Sequence, residues 1–154
     1  MGLRTAILWI HALAGAAWVA ACVAFVIAGL ALAAGSEEQR NFALRAAPKI
    51  DGFNLAAAIV LLLTGAVNLA LAGLIRNFQF SPEFGLILGA KVILFIGMSI
   101  ALGWALRTAA SLRDSADACG NSFAGVTTRM IQAHGAIAMM GGLALLLGLW
   151  LMGS

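Results

Sequence analysis

Charged side chains are scarce in this chain, at 10% of 154 residues, whereas about a quarter of the residues in a soluble domain are charged. Apolar residues make up 63% of the sequence, which is more than a soluble fold of this length can bury. The few basic residues form no run, so a nucleic acid is not an expected partner. The composition therefore predicts a single-domain polytopic membrane protein with the lipid bilayer as its main partner.

Cysteine and buried acidic residues are also few. Only two cysteines are present, Cys22 in the first apolar stretch and Cys119 in a polar loop. A bridge between them is not expected, because the loop residue would have to reach bilayer depth. No Cys-x-x-Cys-His sequence indicates covalent haem attachment. We expect no carboxylate deep in any apolar stretch, and therefore no buried acid–base pair or proton relay built on aspartate or glutamate.

Four long apolar stretches take up most of the chain. Each has the length of a transmembrane helix, and no alternating pattern indicates a barrel. Pro48 interrupts the first polar segment, and Ser81-Pro82-Glu83 is typical of a helix start. Short connections favour antiparallel neighbours, which predicts an all-α integral membrane antiparallel four-helix bundle. The predicted helices lie in one transmembrane domain, residues 1–154, at about residues 8–33, 52–74, 82–106 and 123–152.

Basic residues are divided unequally between the two faces of this predicted bundle. The face with Arg4 and Arg76 has only these two, and it also holds both chain termini. Because basic residues favour the cytoplasmic side, both termini are expected to be non-cytoplasmic, in what we expect to be a bacterial inner membrane. The opposite face, with the first and third connections, carries Arg40, Arg45, Lys49, Arg107, Arg113 and Arg129.

Ionisable side chains within membrane helices are costly and are therefore candidates for function. Counted along the helices, His11, Asn68 and Lys91 fall in one layer near the non-cytoplasmic face, and His134 lies near the cytoplasmic face. The rise of a helix separates the two histidines by roughly 10–20 Å along the membrane normal. One haem iron would need both at one level, so two sites, or one site and one structural histidine, fit better.

Each of these residues also has a purely structural interpretation. Either histidine can bond to a neighbouring carbonyl, Lys91 can extend to the membrane surface, and Asn68 can link two helices. Trp18 and Met98 lie on inward-facing stripes and are typical packing residues. The functional interpretation is that imidazole ligates haem iron or copper, and that methionine sulfur ligates Cu(I). The metal-ligand candidates are then His11, His134 and Met98, with Lys91 placed to pair with a haem propionate.

Three motifs resemble one known family. Residues 9–18, Trp-Ile-His-Ala-Leu-Ala-Gly-Ala-Ala-Trp, resemble the first helix of the copper-resistance protein D (CopD) family and its relative HemJ. Residues 63–68 resemble the family's Thr-Gly-x-x-Asn segment, and residues 84–94 resemble its aromatic-glycine start followed by an intramembrane lysine. The resemblance covers roughly residues 8–106. Val19-Ala20 stands where the family has a Gly-Gly pair, and the arginine of HemJ-type first helices is absent.

The resemblance implies a four-helix membrane module that handles copper or binds haem b, with cofactor-binding residues His11, Trp18, Asn68 and Lys91. His134 has no counterpart in the family and is a candidate by its own chemistry. The expected function is copper transport or homeostasis, or electron transfer by a haem b redox module. The alternative is a structural or accessory subunit of a larger membrane complex. A small transporter has less support, since no internal repeat is present, and whether the protein is an enzyme stays open.

Overall fold

The computed structural model describes residues 2–34, 36–75, 77, 79–114 and 123–153. Within these ranges no strand is present, and each helix is long and apolar enough to cross a membrane. The prediction of an all-α four-helix bundle is confirmed. Cys119 and Arg76 lie outside the described residues. The helices are α1 (Leu3–Ala31), α2 (Glu37–Ile75), α3 (Pro82–Asp114) and α4 (Phe123–Gly153).

Neighbouring helices run antiparallel. Near the connection between α1 and α2, Gln39 Nε2 donates a hydrogen bond to the Gly29 carbonyl at 2.9 Å. Near the opposite end of the same pair, His11 contacts Thr64. We call these two ends of the bundle the α1–α2 end and the α2–α3 end. The α1–α2 end also holds the end of α3 and the beginning of α4.

The helix α2 begins at Glu37 rather than at about residue 52, so the prediction of a polar connecting segment is wrong here. The Ser36 hydroxyl caps this helix by accepting a hydrogen bond from the Gln39 backbone at 3.1 Å. Ala43 and Ala47 are buried on one face of the added turns. Pro48 is inside the helix, where it removes one backbone hydrogen bond without ending the helix.

The helix α3 also continues beyond its predicted end at about residue 106, to Asp114. Its polar side chains bond to the helix itself: Thr108 Oγ1 donates to the Trp104 carbonyl, and Ser111 Oγ donates to the Thr108 carbonyl, both at 2.8 Å. The apolar stretch marks where lipid contact is expected, and the helices continue past it. The helix α1 begins earlier than predicted, at Leu3, and α4 agrees with its prediction.

Packing is uneven along the bundle. The half toward the α1–α2 end holds two clusters of buried apolar side chains. In the other half, beyond the level of Trp18 and Gly141, only Gly73 and Ile87 are buried among the described residues. We call the first the packed half and the second the open half, because few of the side chains in the second are buried. The buried members of the clusters are Trp18, Cys22, Ala57, Met98, Leu102 and Ile137, and then Phe25, Ala43, Ala47 and Met130.

Three helices approach one another closely at Gly141, so a side chain at this position is expected to lower the stability of the bundle. A Cβ on Gly141 would lie 2.5 Å from Val19 Cγ2 and 3.0 Å from Met98 Cε, whereas a Cβ on Gly142 meets nothing within 4 Å among the described atoms. We expect Gly141→Ala to lower the free energy of unfolding by about 1–3 kcal/mol. Reversible unfolding in mixed micelles measures this change. Gly142→Ala is the matched control, and equal effects of the two substitutions would contradict the close approach.

Candidate functional site

His11 lies in the open half, between α1 and α2. Its Nδ1 is 2.8 Å from Thr64 Oγ1, and its Cε1 would be 3.3 Å from a Cβ on Gly65. The glycine of the Thr-Gly-x-x-Asn segment therefore leaves room for the imidazole, and the threonine binds it. These contacts join two of the three motifs that the sequence singled out.

The hydrogen bonds around Thr64 determine which ring nitrogen of His11 carries a proton. The Thr64 hydroxyl lies 2.6 Å from the Val60 carbonyl, and it has one hydrogen, which it donates there. With that hydrogen donated to Val60, the Thr64 oxygen accepts from His11, and Nδ1 of His11 is the donor. In the neutral imidazole the other nitrogen, Nε2, carries the free lone pair.

Lys91 lies at nearly the same level, between α3 and α4. Its Nζ is 2.9 Å from the position that a Cβ on Gly148 would occupy, so the glycine makes space for the ammonium group. Gly148 is seven residues beyond Gly141, which faces Val19, and His11 is eight residues before Val19. Helical rise therefore puts Lys91 near the level of His11. Asn68 is one turn beyond Thr64 on α2, and its buried Oδ1 has no hydrogen-bond partner among the described residues. The predicted layer of His11, Asn68 and Lys91 is thus present.

Trp18 and Met98 are farther from His11. Trp18 is on the same face of α1 seven residues on, which places it about 10 Å deeper in the bundle. Its ring is fully buried and meets Phe95 edge-on at 6.2 Å between centroids. Met98 packs at this same level, against Gly141. The structure therefore places both residues in the packed half, where they fill the core, and does not bring them to His11.

His134 lies in the packed half and is fully buried. Its ring stacks at 4.4 Å on Phe25, fourteen residues after His11 on α1. This register places the two histidines about 20 Å apart along the bundle. The separation agrees with the prediction that the two histidines do not share one iron.

Both ring nitrogens of His134 have partners. Nδ1 lies 2.9 Å from the Met130 carbonyl, and Nε2 lies 3.0 Å from Asp51 Oδ1. To ligate a metal or a haem iron, His134 would have to give up one of these hydrogen bonds. The geometry of this residue is that of a buried pair with a carboxylate.

Asp51 contradicts the expectation that the bundle holds no buried acid–base pair built on a carboxylate. Its side chain is 1% exposed, because α2 begins before it and turns it inward against α4. Asn54, one turn further on, is fully buried and donates from Nδ2 to Cys22 Sγ at 3.4 Å. Sequence reasoning placed Asp51 in a surface segment. The spacing of Asp51 and Asn54, three residues apart on one helix face, is the signal that could have placed it inside.

Within the described part of the chain, no group of three or more His, Cys, Asp or Glu side chains is arranged to hold a metal ion. The fold and these buried polar layers define an all-α integral membrane bundle with two separate polar sites. Comparison with known proteins adds no family to this class: no family model, no curated protein and no solved structure matches the chain.

The pairing of Asp51 with His134 predicts strong coupling between the two residues. Removing one partner of a buried pair leaves the other unpaired and costs about 3–5 kcal/mol, whereas replacing both by apolar side chains costs much less. We therefore expect Asp51→Leu and His134→Phe each to destabilise the bundle strongly, and the double variant to be more stable than either single variant. Unfolding in mixed micelles measures all four proteins. Additive effects of the two substitutions would exclude the coupling.

Proposed function

We propose that this protein is a membrane-embedded haem- or metal-handling protein in which Nε2 of His11 ligates the haem iron or metal ion. The observation that carries the proposal is the 2.8 Å contact between His11 Nδ1 and Thr64 Oγ1. Metal-ligating histidines characteristically donate the other ring N–H to an oxygen, which fixes the tautomer and the orientation of the ring. Thr64 plays that part here and leaves the Nε2 lone pair available.

The surroundings of His11 suit a large flat group better than a bare ion. The half of the bundle around His11 is open, with only Gly73 and Ile87 buried among its described residues. A macrocycle there would take the place of the Leu61 and Leu145 side chains that face Gly15. The Lys91 ammonium at the same level is a partner for a propionate carboxylate. A haem held by one imidazole would supply one-electron redox chemistry.

A copper site finds less support in the arrangement of ligands. Cu(I) favours soft sulfur ligands, and the methionine predicted as a ligand, Met98, lies about 10 Å from the level of His11 by helical rise. No cluster of His, Cys, Asp or Glu in the described ranges supplies further ligands. We therefore favour haem b over copper, and we keep a role in electron transfer as the proposed function. Non-cytoplasmic termini, which the basic residues favour, would place this site near the non-cytoplasmic face.

The proposal predicts that haem binding depends on His11 and on its partner Thr64. Protein purified in mild detergent with haem supplied should show a Soret band, and His11→Ala should abolish it. Thr64→Val should weaken the affinity by about 10–100-fold, because it removes the acceptor that orients the ring. Absorption titration with haem measures both variants.

Thr108→Val is the matched control for Thr64→Val. Thr108 also donates to the carbonyl four residues earlier, but it lies near the α1–α2 end, away from His11. We expect this variant to bind haem as the unchanged protein does. If the protein is colourless and binds copper, and His11→Ala loses the copper, the bound group is copper and not haem. If neither is bound, the proposal fails, and stable co-purification with other membrane chains would then favour an accessory subunit.

A further inference from the structure

The hydrogen bonds of His134 fix the number of protons held by the pair of His134 and Asp51. A carbonyl oxygen only accepts, so the 2.9 Å contact with Met130 requires a proton on Nδ1. The 3.0 Å contact between Nε2 and Asp51 Oδ1 needs one further proton, on either atom. With that proton on Nε2 the pair is an imidazolium and a carboxylate, and with it on Oδ1 both groups are neutral. The net charge of the pair is zero in either case.

Two oxygen atoms beside this pair are buried acceptors without a donor among the described residues, Asp51 Oδ2 and Asn54 Oδ1. Asp51 is 1% exposed and Asn54 is 0% exposed. Residues three apart on a helix have Cβ atoms roughly 5–6 Å apart, so one small donor can reach both oxygens. Leaving a buried acceptor unsatisfied costs about 1–3 kcal/mol, which favours an internal water molecule at this position.

The other buried polar side chains are also in the half toward the α1–α2 end. Gln39 is in the first turn of α2, Thr108 is near the end of α3, and Thr127 is near the beginning of α4. On the opposite side of the pair, the fully buried Trp18 and Ile137 belong to an apolar cluster that separates it from His11. The buried polar side chains around the pair therefore lie mainly toward the α1–α2 end.

We propose that Asp51, Asn54 and His134 form a proton-binding site with an internal water molecule, separate from the His11 site. The proton moves between Asp51 Oδ1 and His134 Nε2, and the water donates to Asp51 Oδ2 and Asn54 Oδ1. Among the described residues the one other buried titratable group there is the Cys22 thiol on α1, and the described part of α3 contributes none. The charged side chains of Arg107 and Arg129 are exposed.

Solid-state NMR of the labelled full chain in lipid bilayers tests the water. Magnetisation is transferred from water protons to carbon, and Asp51 Cγ is compared with exposed Glu37 and with fully buried Ile137. We expect Asp51 to receive magnetisation nearly as fast as Glu37 and much faster than Ile137. Asn54→Leu should lose most of the transfer to Asp51. Asn68→Leu is the matched control, since it removes a buried amide oxygen from the same helix near His11, and it should leave the transfer unchanged.

Transfer to Asp51 as slow as transfer to Ile137 would overturn the proposal, and this comparison needs only the unchanged protein if Asn54→Leu fails to fold. An equal loss in Asn54→Leu and Asn68→Leu would overturn it as well. The nitrogen spectrum of His134 tests the proton count: we expect a protonated Nδ1, and an unprotonated Nδ1 would contradict the count of two protons and the zero net charge of the pair. His11→Ala should leave all of these signals unchanged, so loss of haem binding and loss of this site are distinguishable.

Discussion

Lipid offers no hydrogen-bond partner to polar groups, and this constraint governs the whole molecule. Backbone groups find their partners within the four helices. The hydroxyls of Thr64, Ser99 and Thr108 donate to carbonyls of their own helices. The polar side chains that remain must meet one another in the interior, because contact with lipid is costly. Two polar layers result, and the apolar side chains between them keep the layers apart.

The two layers differ in what their surroundings permit. Around His134 the helices pack closely, and Phe25 and Met130 surround a ring whose two nitrogens both have partners. Around His11 few side chains are buried, and one ring nitrogen is held by Thr64. The first arrangement suits a fixed pair that shares a proton. The second suits a bound cofactor with a large surface of its own, and we therefore place the cofactor there.

Close packing in the α1–α2 half depends on small residues as much as on large ones. Gly29 admits Ile131, and Gly141 admits Val19 and Met98, so that α1, α3 and α4 approach one another closely. In membranes such close approach provides much of the attraction between helices. The rigid half built in this way holds Asp51 and His134 within hydrogen-bond distance.

Much of this architecture follows from the sequence. The apolar stretches determine the number of helices and the all-α class, because only helices and closed barrels satisfy their backbone in lipid. Helical rise alone places His11 and Lys91 in one layer and His134 in another. Sequence reasoning placed the beginning of α2 too late in the chain, because the length of an apolar stretch indicates contact with lipid and not the extent of the helix. It therefore left Asp51 outside the bundle.

What only the tertiary structure decided is the identity of each polar partner. Asp51 and His134 are 83 residues apart along the chain, and His11 and Thr64 are 53 apart. No helical period relates residues on different helices, since their pairing depends on how each helix is rotated and shifted against its neighbours. That rotation and shift come from the fit of glycines to side chains across the interfaces. The sequence thus determined which groups are costly in the membrane, and packing determined which of them meet.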